Sequence, residues 1–383
     1  MKQVIFTVIA GLAFCLGGCA SGSLSPHEAL NQSVTQSFDA SGFNYTSQTR
    51  ITDLAVPAPD AAKEGAEKQK LNYLAGLGVI KGLAIRGDGA IDMKVRKSEL
   101  LYDIRYDKDN VEVSIKLPVM MDYNTQTIYV GTSILTTILE TAYPQAPSTR
   151  GKLIKIDLAE LLKETAKDQQ ELAKLLGEGI LSPKNFDAMN GAFKTALQKS
   201  VAKLSDAGFS DQPLTENDRK AGVERRVRMQ LGQEESITFI LDLVDGVVQG
   251  LVQSGIINKE VADLVQALTN RQQLAGYTDK FTLAVTVEAG IGRAGYVSSL
   301  DSRLQVADRE GAYRLGVENI NTFANYGAPR FTMTPETAGL VDFKDILAVI
   351  AADLPGGDEA CVDEGDDAPE EPNAAPMSAP GQS

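Results

Sequence analysis

The strongest constraint on this chain is a period of two. Phe43, Tyr45, Ser47, Thr49 and Ile51 alternate with Asn44, Thr46, Gln48 and Arg50, and such alternation sends successive side chains to opposite faces of a strand. Ile91, Met93 and Val95 alternate with Asp92, Lys94 and Arg96, and Leu100, Tyr102, Ile104 and Tyr106 continue the pattern. After the turn sequence Asp107–Lys108–Asp109–Asn110, Val111, Val113, Ile115 and Leu117 read as the return strand. Ile128 to Thr132 adds a short strand. The pattern resumes late in the chain, at Phe281, Leu283, Val285 and Val287, then at Leu300, Leu304 and Val306. Tyr313, Leu315 and Val317 follow the turn Asp308–Arg309–Glu310–Gly311. These runs predict antiparallel strands with one buried face.

Between the two strand blocks the apolar period lengthens to that of a helix. Asp157 with Glu160 forms a capping-box sequence ahead of Leu158, Leu161, Leu162, Leu172, Leu175 and Leu176. Ser182–Pro183 opens a second helix, with Phe186, Met189, Phe193, Leu197, Val201 and Leu204 on one face. Thr215 with Asp218 opens a third. A fourth, from about Glu234 to Gln253, carries Ile240, Val244, Val247, Leu251 and other apolar residues around more of its circumference than a surface helix does. It is either buried or lines an apolar cavity. Asn258 to Thr269 is a further short helix. Outside this middle, helices are predicted from Pro26 to about Ala40 and from Asp342 to Asp353, and weakly around Leu71, Leu74, Leu77 and Ile80. The composite is α+β.

The first residues set the compartment. Lys2 precedes an apolar run from Val4 to Gly18, too short to span a bilayer but suited to a signal-peptide core. The run ends Leu16–Gly17–Gly18–Cys19, which resembles the lipobox of bacterial lipoproteins. The resemblance implies a signal peptide over 1–18, acylation of Cys19 and a lipidated tether over 19–24. Ala20, where those proteins carry Asp for inner-membrane retention, favours the periplasmic face of the outer membrane. Cys15 then leaves with the signal and only Cys361 stays free, so the mature chain has no internal disulfide. The acids around Cys361 disfavour its thiolate, which predicts an inert thiol.

From Asp358 onward there are eight acids and no Lys or Arg, among Pro, Gly, Ala and Ser. Residues 358–383 read as a disordered, solvated tail. Much of the net charge of −14 belongs to this tail, which leaves the body modestly acidic and without the basic footprint of a nucleic-acid binder.

Chemistry-bearing motifs are sparse. One histidine in 383 residues removes most His-dependent catalysis and zinc ligation, and His27 itself is predicted at the surface. Gly290–Ile291–Gly292–Arg293–Ala294–Gly295 matches GxGxxG but lacks the following helix of a dinucleotide site, so it reads as a hairpin turn. Arg86–Gly87–Asp88 reads as turn chemistry before a strand. Arg219, Lys220, Arg225, Arg226 and Arg228 scatter round a helical wheel and read as a solvated helix. No catalytic residues, cofactor or metal ligands emerge, and the chain is predicted not to be an enzyme.

The helix leading into Phe43–Asn44–Tyr45, the segment Tyr123–Asn124–Thr125–Gln126–Thr127–Ile128–Tyr129–Val130, and Asn325–Tyr326–Gly327–Ala328–Pro329 before Thr334–Pro335–Glu336 carry a further similarity. In these segments and in its order of elements the chain resembles the LolA/LolB-like half-barrel superfamily, including lipoproteins of the LppX/LprG type. The resemblance implies a curved antiparallel β-sheet, a half-barrel, over residues 25–357 with several helices packed on the concave side. Its helical middle, about 154–274, is longer than the family's usual lid. It further implies that a lipid or acyl-bearing molecule binds in an apolar cavity between sheet and helices, as in a carrier or sensor. Phe186, Met189, Phe193, Ile240, Val244, Val247 and Leu251 are the predicted cavity liners. The alternative is a non-enzymatic envelope assembly or structural factor that binds a protein partner through its helices or tail.

Overall fold

A computed structural model describes residues 24–57, 80–108, 110–131, 133–165, 182–268 and 280–353. The signal and lipobox, the region around Leu71, Leu74 and Leu77, the leucines 172, 175 and 176, and the acidic tail lie outside the described residues.

The chain opens with helix α1 (Pro26–Asp39), capped by Ser25 Oγ accepting from the Glu28 N–H while Glu28 returns a carboxylate to the Ser25 N–H. Strands β1 (Gly42–Ala55), β2 (Leu83–Asp92), β3 (Lys97–Lys108), β4 (Val111–Asp122) and β5 (Thr127–Val130) follow. Helix α2 (Ile134–Ala142), strand β6 (Lys152–Asp157) and helix α3 (Leu158–Thr165) lead to helix α4 (Pro183–Ala202). Then come a 3₁₀ turn (Asp206–Gly208), β7 (Phe209–Gln212), α5 (Glu216–Lys220), β8 (Val223–Leu231), α6 (Gln233–Gln253) and α7 (Lys259–Leu268). The chain closes with β9 (Phe281–Gly292), β10 (Val297–Asp308), β11 (Arg314–Ala324), β12 (Gly339–Asp342) and α8 (Phe343–Asp353).

Among the described residues, twelve strands join one open sheet, in the order β12-β6-β5-β4-β3-β2-β1-β11-β10-β9-β8-β7. The class is α+β, as the alternation predicts. The sheet is mixed rather than purely antiparallel, because β12 runs parallel to β6. That pair closes a long crossover, which a parallel connection needs and local sequence does not announce.

Three further expectations are corrected. Residues 93–96 form a turn, not a strand: the Asp92 carboxylate accepts from the Lys94 and Val95 N–H groups and bends the chain. The strand lies before it, so Arg86–Gly87–Asp88 sits inside β2 rather than in a turn. Glycine is needed at Gly89 of the same strand, where a Cβ would meet the Tyr45 ring at 2.7 Å. Finally, the middle of the chain is not continuously helical. It holds β6, β7 and β8, and Arg225, Arg226 and Arg228 are on a strand. The GxGxxG segment does form the β9–β10 turn, with Gly295 at φ +81°.

Helices cover one face of the sheet at both ends. Ala29 and Leu30 of α1 and Val201 of α4 pack with Val227, Met229, Leu231, Ala289 and Ile291 of β8 and β9. At the other end Ile346 of α8 packs on Ile154 of β6 and Val341 of β12, with Leu139 of α2 beside them. Among the described residues no helix packs broadly on β1–β4 or β11.

Candidate ligand-binding face

Strand register sorts the side chains of this sheet by charge. Tyr45 pairs with Gly89 and Phe323, Thr49 with Ile85 and Asn319, and Ile104 with Ile85 and Ile115. These residues share the face on which the helices pack. Following the alternation along Phe43–Ile51, Ile85–Ile91, Ser98–Tyr106, Val111–Met121, Phe281–Ile291, Leu300–Val306 and Leu315–Phe323, this face carries no Asp, Glu, Lys, Arg or His. Arg50, Arg86, Asp88, Asp103, Arg105, Lys116, Glu288, Asp301, Arg303 and Glu318 all alternate to the opposite face.

Among the described residues no helix covers this face over β2–β4. Ile85, Tyr102, Ile104, Val111 and Val113 lie on β2–β4 and remain 37–51% exposed. Fully burying each such side chain would contribute ~1.5–3 kcal/mol, and a contiguous apolar patch on a soluble surface marks a binding site. The sequence pattern places Tyr102, Ile104, Val111 and Val113 on strands but not in the site, and it misses the strand that carries Ile85. Their alternation marks the face, but their exposure follows from tertiary packing that local sequence does not show.

The seven predicted liners lie on two helices in antiparallel contact. Phe186 is buried, its ring 4.1 Å from that of Tyr123. Met189 and Phe193 are exposed, with Phe193 tilted on Phe38 of α1 at 5.8 Å. On α6, Ile240 is exposed, and Val244, Val247 and Leu251 are half-buried. Spacings of four, three and four put these four residues on one stripe. Gly246 and Gly250 of α6 meet Ala196 and Ala192 of α4 at close range. A groove of about 550 Å³ opens between these two helices. Its walls include Lys199, Lys203, Asp242, Asp245 and Gln249, and none of the seven predicted residues lines it.

The opposite face is held by ion pairs. Arg226 reaches Glu288 at 2.6 Å and Asp218 at 2.9 Å, and Arg228 reaches Glu288 at 2.6 Å. Burial alone would raise the Glu288 carboxyl, but hydrogen bonds from Arg226 and Arg228 hold it below its ordinary value. Glu318, with its side chain only 7% exposed, accepts from Arg50 at 2.5 Å and Arg303 at 3.0 Å. It too is raised by burial and lowered further by its arginines, for a net depression. The predicted solvated basic helix holds for Arg219 and Lys220, which are exposed on α5, and is corrected for Arg225, Arg226 and Arg228, which lie on β8 and pair with carboxylates of α5 and of neighbouring strands. Asp301 goes the other way, because burial outweighs Arg226 and raises its carboxyl.

Two buried polar joints lie outside this ladder. Glu99, on β3, accepts from the Thr332 and Met333 N–H groups at 2.7–3.0 Å and from the Thr332 hydroxyl, which ties the segment after β11 across the charged face. His27 is not at the surface as predicted, since its side chain is only 12% exposed. Its Nδ1 lies 2.6 Å from Asp206 Oδ1, its Nε2 lies 2.9 Å from the Val201 carbonyl, and its ring stacks on Phe209.

Among the described residues no helix is long and apolar enough to cross a membrane. No protein-family model matches the chain, and no curated protein sequence matches it.

Proposed function

We propose that this chain is a lipid-anchored protein of the bacterial envelope that binds a lipid or acyl-bearing molecule on the uncharged face of its sheet. The observation that carries the reading is the charge segregation. One face is free of ionisable groups other than tyrosine through seven strands, and among the described residues helices pack on both of its ends but not on its centre. On this reading the sheet curves into a half-barrel with the helices on its concave side. The same reading assigns the α6 stripe of Ile240, Val244, Val247 and Leu251, with Met189 and Phe193 of α4, to the lining of the space above β2–β4. An acyl chain lying there is shielded from water without meeting a charge. Cys19 supplies the anchor, whose acyl chains contribute roughly 0.8 kcal/mol per buried CH₂.

Two experiments test this. Cells fed labelled palmitate are expected to label the chain, and Cys19→Ser is expected to abolish both label and membrane association. Native mass spectrometry of the Cys19→Ser chain is expected to show a co-purifying lipid, and a fluorescent acyl probe to bind it. Absence of both lipid and probe binding would sink the ligand assignment, and a stoichiometric protein in their place would favour the assembly-factor alternative.

A further inference from the structure

The uncharged face is not uniformly apolar. Ser47 and Thr49 of β1 pair across the sheet with Asn321 and Asn319 of β11, and Asn319 pairs with Ser302 of β10. These five residues form one polar island at the middle of the sheet. Ile51, Val317 and Leu304 lie on one side of it, and Tyr45 and Phe323 on the other. Asn319 Nδ2 donates to Ser47 Oγ at 3.0 Å and to Thr49 Oγ1 at 2.7 Å. Asn321 Nδ2 donates to the Leu300 carbonyl at 3.3 Å and to Asn319 Oδ1.

Both hydrogens of each amide are thus consumed inside the island. Among the described residues, the hydroxyl hydrogens of Ser47 and Thr49 and the Oδ1 of Asn321 have no protein partner. All five residues are half-buried. Gly87 of β2 pairs with Ser47 and adds no side chain beside it. The island therefore offers two donors and one acceptor, all neutral. Tyr45, the nearest ionisable group on this face of β1, is itself kept neutral, because burial pushes its phenol up to about 12.

We infer that the bound amphiphile carries an uncharged hydrogen-bonding group, a hydroxyl, ester or amide, and that Ser47, Thr49 and Asn321 select it. This inference rests on the proposed acyl-binding face. A charged headgroup would lose its hydration on a surface with no counter-charge. A plain hydrocarbon would cover two hydroxyls and an amide oxygen without satisfying them. A glycerol ester or an amide satisfies all three.

Competition for a fluorescent acyl probe on the full chain tests this with three ligands of one chain length: 1-oleoylglycerol, oleate and 1-oleoyl-phosphatidylglycerol. The neutral glycerol ester is expected to bind at least ~10-fold more tightly than either anion, a difference of about 1.4 kcal/mol. Thr49→Val and Asn319→Leu are each expected to shrink that preference while leaving oleate affinity within about twofold. If Asn319→Leu does not fold, Thr49→Val decides alone. Equal or tighter binding of an anion, or a preference unchanged in the folded variants, would overturn the selectivity and leave the acyl-binding face standing. No binding of any of the three, or of the probe, would remove that face as well.

Discussion

A Cβ on Gly250 of α6 would stand 2.6 Å from the Cβ of Ala192 on α4. Gly246 is in the same position against Ala196, at 2.9 Å. The two glycines let the helix backbones approach closely, and this contact fixes where α6 carries its apolar stripe. Gly250→Ala gains about 1 kcal/mol in helix propensity but forces the helices apart, at an overpacking cost of ~1–3 kcal/mol. The expected net is a loss of about 1 kcal/mol in urea denaturation. Gly191 of α4 is the control. Nothing lies within 4 Å of its Cβ position, so Gly191→Ala is expected to stabilise by about 1 kcal/mol.

The buried carboxylates of the charged face give stability a direction with pH. Glu288, Glu318 and Asp218 all sit below their ordinary values because arginine and hydroxyl hydrogen bonds outweigh burial. A lowered folded value means that the stabilisation is complete above the unfolded carboxylate range and is lost as pH falls through the folded values. Acid unfolding is therefore expected below pH ~4. Glu318→Gln is expected to flatten that limb and to cost about 1–3 kcal/mol at pH 7. Arg50 and Arg303 are largely exposed and stay hydrated in the variant, which puts the loss toward the lower end. An acid limb identical in wild type and Glu318→Gln would contradict this account.

His27 ties α1 to the single stretch from Val201 to Phe209, more than 170 residues along the chain. Both its ring nitrogens lie within hydrogen-bond distance of an oxygen, one of the Asp206 carboxylate and one of the Val201 carbonyl. His27→Ala removes both bonds and the stack on Phe209. Thermal denaturation should register a loss of ~1–3 kcal/mol, with hydrogen exchange rising first along α1. Unchanged exchange there would show that α1 is held by its apolar face alone.

Ile104 separates ligand binding from stability. It lies in the open part of the uncharged face and is already partly hydrated. Ile104→Lys is expected to change stability by less than about 1 kcal/mol yet to weaken uptake of a fluorescent acyl probe at least ~10-fold, since it sets a charge on the face proposed to hold the acyl chain. Lys116→Glu, on the opposite face of the neighbouring β4, should leave uptake unchanged.

Local pattern carried much of this fold and failed where partners were remote. The strands β1, β3, β4 and β9 announced themselves because each alternates cleanly over eight or more residues. β2 was misplaced by several residues because Gly87 and Gly89 read as turn signals, whereas they make room beside Tyr45 and Ser47. β8 reads as helix from local sequence because its three arginines look like solvated charge. Their acids, Asp218 and Glu288, identify a strand only when the sheet is assembled. His27 looked exposed because neither of its partners is near it in sequence. The proposed site divides in the same way. The liner helices were legible from their stripes. The polar island was not, because Ser47 and Thr49 look like ordinary strand residues until Asn319 and Asn321 are set beside them.

The place of β1 between β2 and β11 bears on when the protein can fold. Ser47 and Asn319 hydrogen-bond across 272 residues of sequence, so β1 cannot complete its pairing until nearly all of the last meander has been synthesised. Contacts of such separation carry a large loop-closure cost before any return and slow the search for the native state. A nascent chain built this way stays threadable until late. That delay fits the proposed envelope location, which would require the polypeptide to cross a membrane extended before it folds.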